Sequence, residues 1–120
     1  MEPFQDQFVV VLDVGVANGG TFKTAPAGKR VVIEHVSVHA DPAAAHLANY
    51  YITSTIEDSS AFREVPIVAA LTAAGRVVGS HPLRAYANPG TEFCAVIRRL
   101  DTSQRIAATF VFAGYYVPVP

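Results

Sequence analysis

Four histidines, one cysteine and two pairs of adjacent tyrosines are the side chains of this sequence best suited to chemistry. His35 and His39 stand four residues apart among Val and Ile. On a helix that spacing sets two imidazoles side by side as metal ligands. On a strand it puts them on one face about 13 Å apart, too far for bonds of about 2 Å to a single ion. The β-branched neighbours favour the strand. A metal site would then need His46 or His81 folded in beside one of the pair. Metal-binding jelly rolls of the cupin type begin with two histidines two apart on a strand, followed by a glutamate. Here Ile33 and Ser37 hold the positions two from His35, and Glu34 faces the other way. A cupin-like metalloenzyme is thus the alternative from the enzyme class. The expectation from these residues is no metal and no cofactor, with both imidazoles solvated or at an interface.

Cys94 with His81 as its base would form a nucleophile pair. The cysteine sits mid-strand between Phe93 and Ala95, the habitat of a small buried hydrophobe, so no catalytic role is assigned and a protected thiol is expected. No Gly-x-Ser-x-Gly elbow starts a serine triad. The stretch from Gly15 to Thr21 lacks the lysine and the following helix of a phosphate loop, and Asn18-Gly19-Gly20 reads as a hairpin turn. Tyr50-Tyr51 and Tyr115-Tyr116 are different. Adjacent residues on a strand point to opposite sides, so each pair offers one ring outward, and alternation selects Tyr51 and Tyr115. Such rings serve either as sugar platforms or as interface anchors. Tyr51, Tyr115, His35 and His39 are therefore the candidate ligand-binding or interface residues, and the absence of Trp weighs toward an interface.

Glu34 falls in phase with Val32, Val36 and Val38, a set that looks like a core face. Buried there, its carboxylate would need Arg98 or Arg99 as a partner; the outward alternative needs none and is favoured.

Positioning these groups falls to strands, because no window carries a sustained helical stripe. Strands are expected at Gln7–Val16, Thr21–Ala25, Arg30–Ala40, Leu47–Glu57, Arg63–Ala70, Arg76–Tyr86, Glu92–Leu100 and Arg105–Val117. Between the third and fourth, Asp41 could cap one helical turn starting at Pro42. Asn88-Pro89-Gly90 fits a type II turn, and Pro26-Ala27-Gly28 a similar one. Pro66 and Pro82 mark strand edges or interruptions. In the last strand Ile106, Ala108, Phe110 and Phe112 form the bulky face. Short connections without crossover helices imply antiparallel pairing, hence an all-β sandwich of about eight strands with jelly-roll-like order in one domain over residues 1–120.

Composition narrows the function. The 120 residues are 51% hydrophobic and 16% charged, with a net charge of -1 and only two lysines. A disordered chain is excluded, and a nucleic-acid partner is not expected without a surplus of cations. The apolar run Phe8–Leu12 is too short to span a bilayer or to form a signal core, so no membrane insertion is expected. A small domain with so few charges leaves apolar surface for another copy to cover, so a homo-oligomer is expected.

The segment from Pro26 to Ser37, a Pro-Ala-Gly-Lys-Arg turn leading into a strand, and the closing Gly114-Tyr115-Tyr116-Val117 resemble small uncharacterised bacterial β-sandwich proteins over about a quarter of the chain. The resemblance implies the jelly-roll-like fold and no particular activity. The reading that results is a non-enzymatic, self-assembling β-sandwich acting as a structural or binding module. Its alternatives are a carbohydrate or small-ligand binder, the metalloenzyme above, and a virion or capsid decoration protein, the last by fold analogy alone.

Overall fold

A computed structural model describes residues 2–55 and 62–119. The elements run β1 (Glu2–Leu12), β2 (Asn18–Thr24), β3 (Lys29–Asp41), a 3-10 turn (Ala43–Leu47), β4 (Asn49–Thr55), β5 (Phe62–Ile67), β6 (Ala70–Leu71), β7 (Val77–Ala87), β8 (Glu92–Arg98) and β9 (Ile106–Pro118). Antiparallel pairs nest outward from β4–β5 through β3–β7 and β2–β8 to β1–β9, as though one long hairpin had been rolled up. The pairs alternate between a five-stranded sheet, β1-β9-β3-β7-β6, and a four-stranded sheet, β2-β8-β4-β5. This is the order of a jelly roll, an all-β sandwich, with β6 a two-residue addition at one edge.

Strict alternation drives the two sheets together. Phe8, Val10 and Leu12 on β1 face the core with Ile106, Ala108, Phe110 and Phe112 on β9. From the other sheet come Tyr50 and Ile52 on β4 and Phe93, Ala95 and Ile97 on β8. Phe8 stacks on Phe112 of its own sheet at 4.8 Å between ring centroids, and Phe4 meets Phe93 of the other sheet edge-on at 5.7 Å, a contact that ties the two sheets together. Burying each such side chain contributes about 1.5–3 kcal/mol relative to exposure.

A bulge in β3 sets the faces of the larger sheet. The register shifts between Ile33 and His35, so Glu34 is the extra residue. Val31 and Ile33 are buried before it, and Val36, Val38 and Ala40 after it. The core-face phase that grouped Glu34 with Val36 and Val38 therefore breaks at the glutamate. Glu34 is exposed and lies 3.8 Å from Arg84, and neither Arg98 nor Arg99 is its partner. Gly114 sits opposite Ile33, where a Cβ would overlap the Val32 carbonyl oxygen. The bulged strand thus comes too close for any side chain at that position.

Other boundaries differ from expectation for local reasons. The first strand spans Glu2–Leu12 because its polar start pairs with Gly114–Tyr116, and cross-strand pairing outweighs composition. The following turn is Asp13–Val16, with Gly15 at φ 86 and Val16 N donating to Asp13 O at 3.0 Å. Asn18-Gly19-Gly20 therefore begins β2 and is not the turn. Pro42, rather than Asp41, occupies the cap position of the 3-10 turn, and Asp41 faces Arg76 at 3.4 Å instead. Asn88–Thr91 does form the expected turn, with Gly90 at φ 75 and Thr91 N donating to Asn88 O at 3.0 Å. Pro66 lies on edge strand β5, and Pro82 lies on β7 beyond its short pairing with β6. Ile56 and Glu57, at the end of the expected fourth strand, lie outside the described residues.

Side chains finish what the ladders leave open. Thr53, Ser54 and Thr55 are buried, and their hydroxyls accept from the backbone N–H groups of Cys94, Tyr86 and Asn88 where β4 parts from β8. Arg99 is 7% exposed and donates to the carbonyls of Val16, Gln104, Leu12 and Asp13, binding the β1–β2 and β8–β9 connections together. On the β1 edge, Gln7 N–H donates to Asp6 Oδ1 and Thr21 Oγ1 donates to Val9 O. Asp6 is itself paired with Lys23. These contacts occupy groups that an added strand would need.

Candidate functional site

The outer face of the five-stranded sheet gathers three of the four residues singled out from sequence. Tyr115, His35 and His39 all point to this side, and the register makes His35 a neighbour of Ala113, two positions from Tyr115. Rows run across the strands. Pro3, Tyr115, Val32 and Tyr86 stand abreast, then Gln5, Ala113, His35 and Pro82. Gln7, Val111, Ser37 and Ser80 follow, then Val9, Thr109, His39 and Val78. No Asp, Glu, Lys or Arg occurs in these rows. Val32 is only 3% exposed although it faces outward, because it lies between the two tyrosines in register. The charged residues Glu34 and Arg84 sit together beside the bulge. His35 Nε2 lies 3.0 Å from Ser80 Oγ, so this imidazole is tethered within the face. β9, whose outward strip has no charge, runs between β1 and β3. Both its ladders are used, so another copy can reach the strip by face-to-face packing and not by strand addition.

Tyr51 lies on the opposite side of the sandwich, on the outer face of the four-stranded sheet. Arg98 reaches from β8 across β4, with its guanidinium carbon 5.3 Å from the Tyr51 ring centroid, to pair with Glu64 on β5 at 2.6 Å. One ring is thereby held between a cation and its own sheet. Beside it a recess of about 300 Å³ opens between the 3-10 turn and the β5–β6 connection, lined in part by His46, Asn49, Tyr51, Pro66 and Val68. Its inner neighbour Tyr50 donates to Ala45 O at 2.7 Å, and burial pushes the Tyr50 phenol up to about 12.

The remaining reactive groups are dispersed. Cys94 is half-buried on the outer face of the four-stranded sheet, while the core is taken by Phe93 and Ala95 on either side. Burial raises its thiol, an effect larger than the hydrogen bond from Thr53 that opposes it. His81 faces inward from β7, with Nε2 buried and without a hydrogen-bond partner. The four-stranded sheet stands between it and Cys94, so the two do not form a nucleophile and base. Among the described residues no three His, Cys, Asp or Glu side chains converge as metal ligands. None of the helical segments described is long and apolar enough to cross a membrane.

Arg98, Asn49 and His46 complete the surroundings of Tyr51; read from sequence, Arg98 is weighed as a partner of Glu34 and His46 as a metal ligand, and Asn49 carries no role. The signal for Asn49 and Tyr51 was present, since positions i and i+2 on a strand share a face. The Arg98–Glu64 strap depends on β8 and β5 flanking β4, which local pattern does not encode. Fold and site together define a jelly-roll sandwich with two distinct outer surfaces, one neutral over its central rows, the other bearing the recess beside Tyr51. Compared with known proteins, the chain matches no family model and none of the curated sequences.

Proposed function

We propose that this protein is a non-enzymatic, self-assembling jelly-roll module that pairs with a second copy through the outer face of its five-stranded sheet. The observation that carries this reading is the run of uncharged rows across β1, β9, β3 and β7, from Tyr115 at one end to His39 at the other. Four rows about 6.7 Å apart along the strands cover about 27 Å, and four strands cover about 19 Å, giving an uncharged patch of roughly 500 Å². A stable specific interface buries about 800 Å² on each partner, so this patch would form the centre of the contact and the flanking rows that hold Arg30 and Asp41 its polar rim. Low-relief residues such as Ala113, Thr109, Ser37 and Ser80 let two sheets approach to the ordinary stacking distance of about 10 Å. A twofold arrangement would set neutral rows against neutral rows, without repulsion between like charges. Val9, Val11 and Val78 on this side are 50%, 41% and 43% exposed, and pairing would withdraw them from water.

On this reading the chain belongs beside the small bacterial β-sandwich proteins that it resembles, with assembly rather than chemistry as its role. Val111 lies near the centre of the face, opposite Gln7 and Ser37. A Val111→Arg variant should remain folded by circular dichroism and sediment as a monomer while the unaltered protein sediments as a dimer. Equal sedimentation of the two would remove this face as the interface.

A further inference from the structure

We propose that the recess between the 3-10 turn and the β5–β6 connection binds a neutral sugar ring. Its volume of about 300 Å³ lies at the small end of the range for ligand pockets, ~300–1,000 Å³, which suits one ring rather than a long chain. No Asp, Glu, Lys or Arg is among its described lining residues, so a phosphate or carboxylate would lose hydration there without a countercharge. The polar groups it does offer are of the kind hydroxyls satisfy. The Asn49 amide both donates and accepts, as does the Tyr51 hydroxyl, and neither side chain's polar group hydrogen-bonds to a described residue. His46 Nδ1 lies 2.8 Å from the Ala43 carbonyl, so that nitrogen carries the hydrogen and Nε2 of the neutral ring is left as an acceptor. Pro66, Val68 and the Tyr51 ring supply apolar wall for the C–H face of a pyranose.

The arrangement is also held in place before any ligand arrives. Arg98 over the Tyr51 ring, pinned by Glu64 at 2.6 Å, restricts the aromatic wall, so less ordering remains to be done on binding. This site lies on the other sheet from the proposed self-assembly face, and neither depends on the other.

The test is a proton–nitrogen correlation titration of the full chain with methyl α-mannopyranoside, methyl β-galactopyranoside and methyl β-glucopyranoside to tens of millimolar, with sodium phosphate as the charged control. At least one glycoside should shift the amides of Asn49, Tyr51 and Val68 together, while phosphate leaves them unmoved. Asn49→Ala and Tyr51→Phe should each weaken that glycoside about fivefold, the loss of one hydrogen bond, with the remaining spectrum unchanged. Three results overturn the proposal: none of the glycosides moves these amides, phosphate occupies the recess in their place, or both variants bind as well as the unaltered protein.

Discussion

Arg99 makes the most consequential single-residue contribution among the described polar groups. Its guanidinium is buried with carbonyl oxygens as its hydrogen-bonding partners, four of them drawn from both connections at one end of the sandwich. Arg99→Ala would strand those carbonyls, and an expected loss of about 3 kcal/mol follows from leaving several buried acceptors unmade. Arg99→Lys should recover only part of it, because an ammonium lacks the planar fork. Urea unfolding of the three proteins measures both effects, and a loss below about 0.5 kcal/mol for the alanine variant would contradict them. Cys94 supplies the second test at this scale. Burial raises its pKa, so the thiolate stays a minority to higher pH than in a free cysteine. Labelling by a thiol reagent should therefore be slow in the native protein, and its rate should still climb at alkaline pH where a free thiol has levelled off. Rapid stoichiometric labelling with a plateau below pH 8 would show an exposed, activated thiol instead.

The β3 bulge is the element on which the outer face depends. It turns Glu34 outward and puts His35, Ser37 and His39 on the side of Tyr115, which closes the core and creates the neutral surface in one step. Gly114 permits the close approach, so Gly114→Ala should cost at least about 2 kcal/mol through steric overlap with the Val32 carbonyl. Gly28→Ala, in open space at φ 75, should cost only about 1 kcal/mol, the penalty of a side chain in left-handed backbone. Thermal melts of the pair check the order, and an equal or reversed ranking would mean the strands relax apart at the bulge. What the sequence made legible follows the same division. Alternation over Tyr50–Thr55 and Ile106–Phe112, and the turn chemistry of Asn88-Pro89-Gly90, are local, and both can be read from neighbours alone. The bulge, the displaced Asp13–Val16 turn and the partners of Arg98 and Arg99 depend on strands far apart in sequence, so single-strand periodicity carried the wrong phase into Glu34.

At the scale of the molecule, the sandwich is a slab 47 Å long, 26 Å wide and 17 Å thick, and its two broad faces differ in kind. One bears the Arg98–Glu64 strap and the recess; the other is uncharged over its four central rows, with Glu34–Arg84 beside the bulge and Asp41–Arg76 at one end. Edge-to-edge growth along β1 is opposed by the Asp6–Lys23 pair and the Thr21 hydroxyl, which agrees with the proposed stacking of broad faces. Tyr115→Arg, at the aromatic end of the neutral face, should raise the dissociation constant of the proposed dimer at least about tenfold by placing a desolvated charge at the contact. Asn49→Ala on the recessed face should leave it unchanged. Isothermal dilution measures the two variants side by side, and equal effects would detach assembly from the neutral face. The most direct measurement of all is the mass of the unaltered protein by light scattering across a tenfold dilution at micromolar concentration. The account predicts twice the 12.8 kDa of one chain. A soluble species at 12.8 kDa throughout would contradict it.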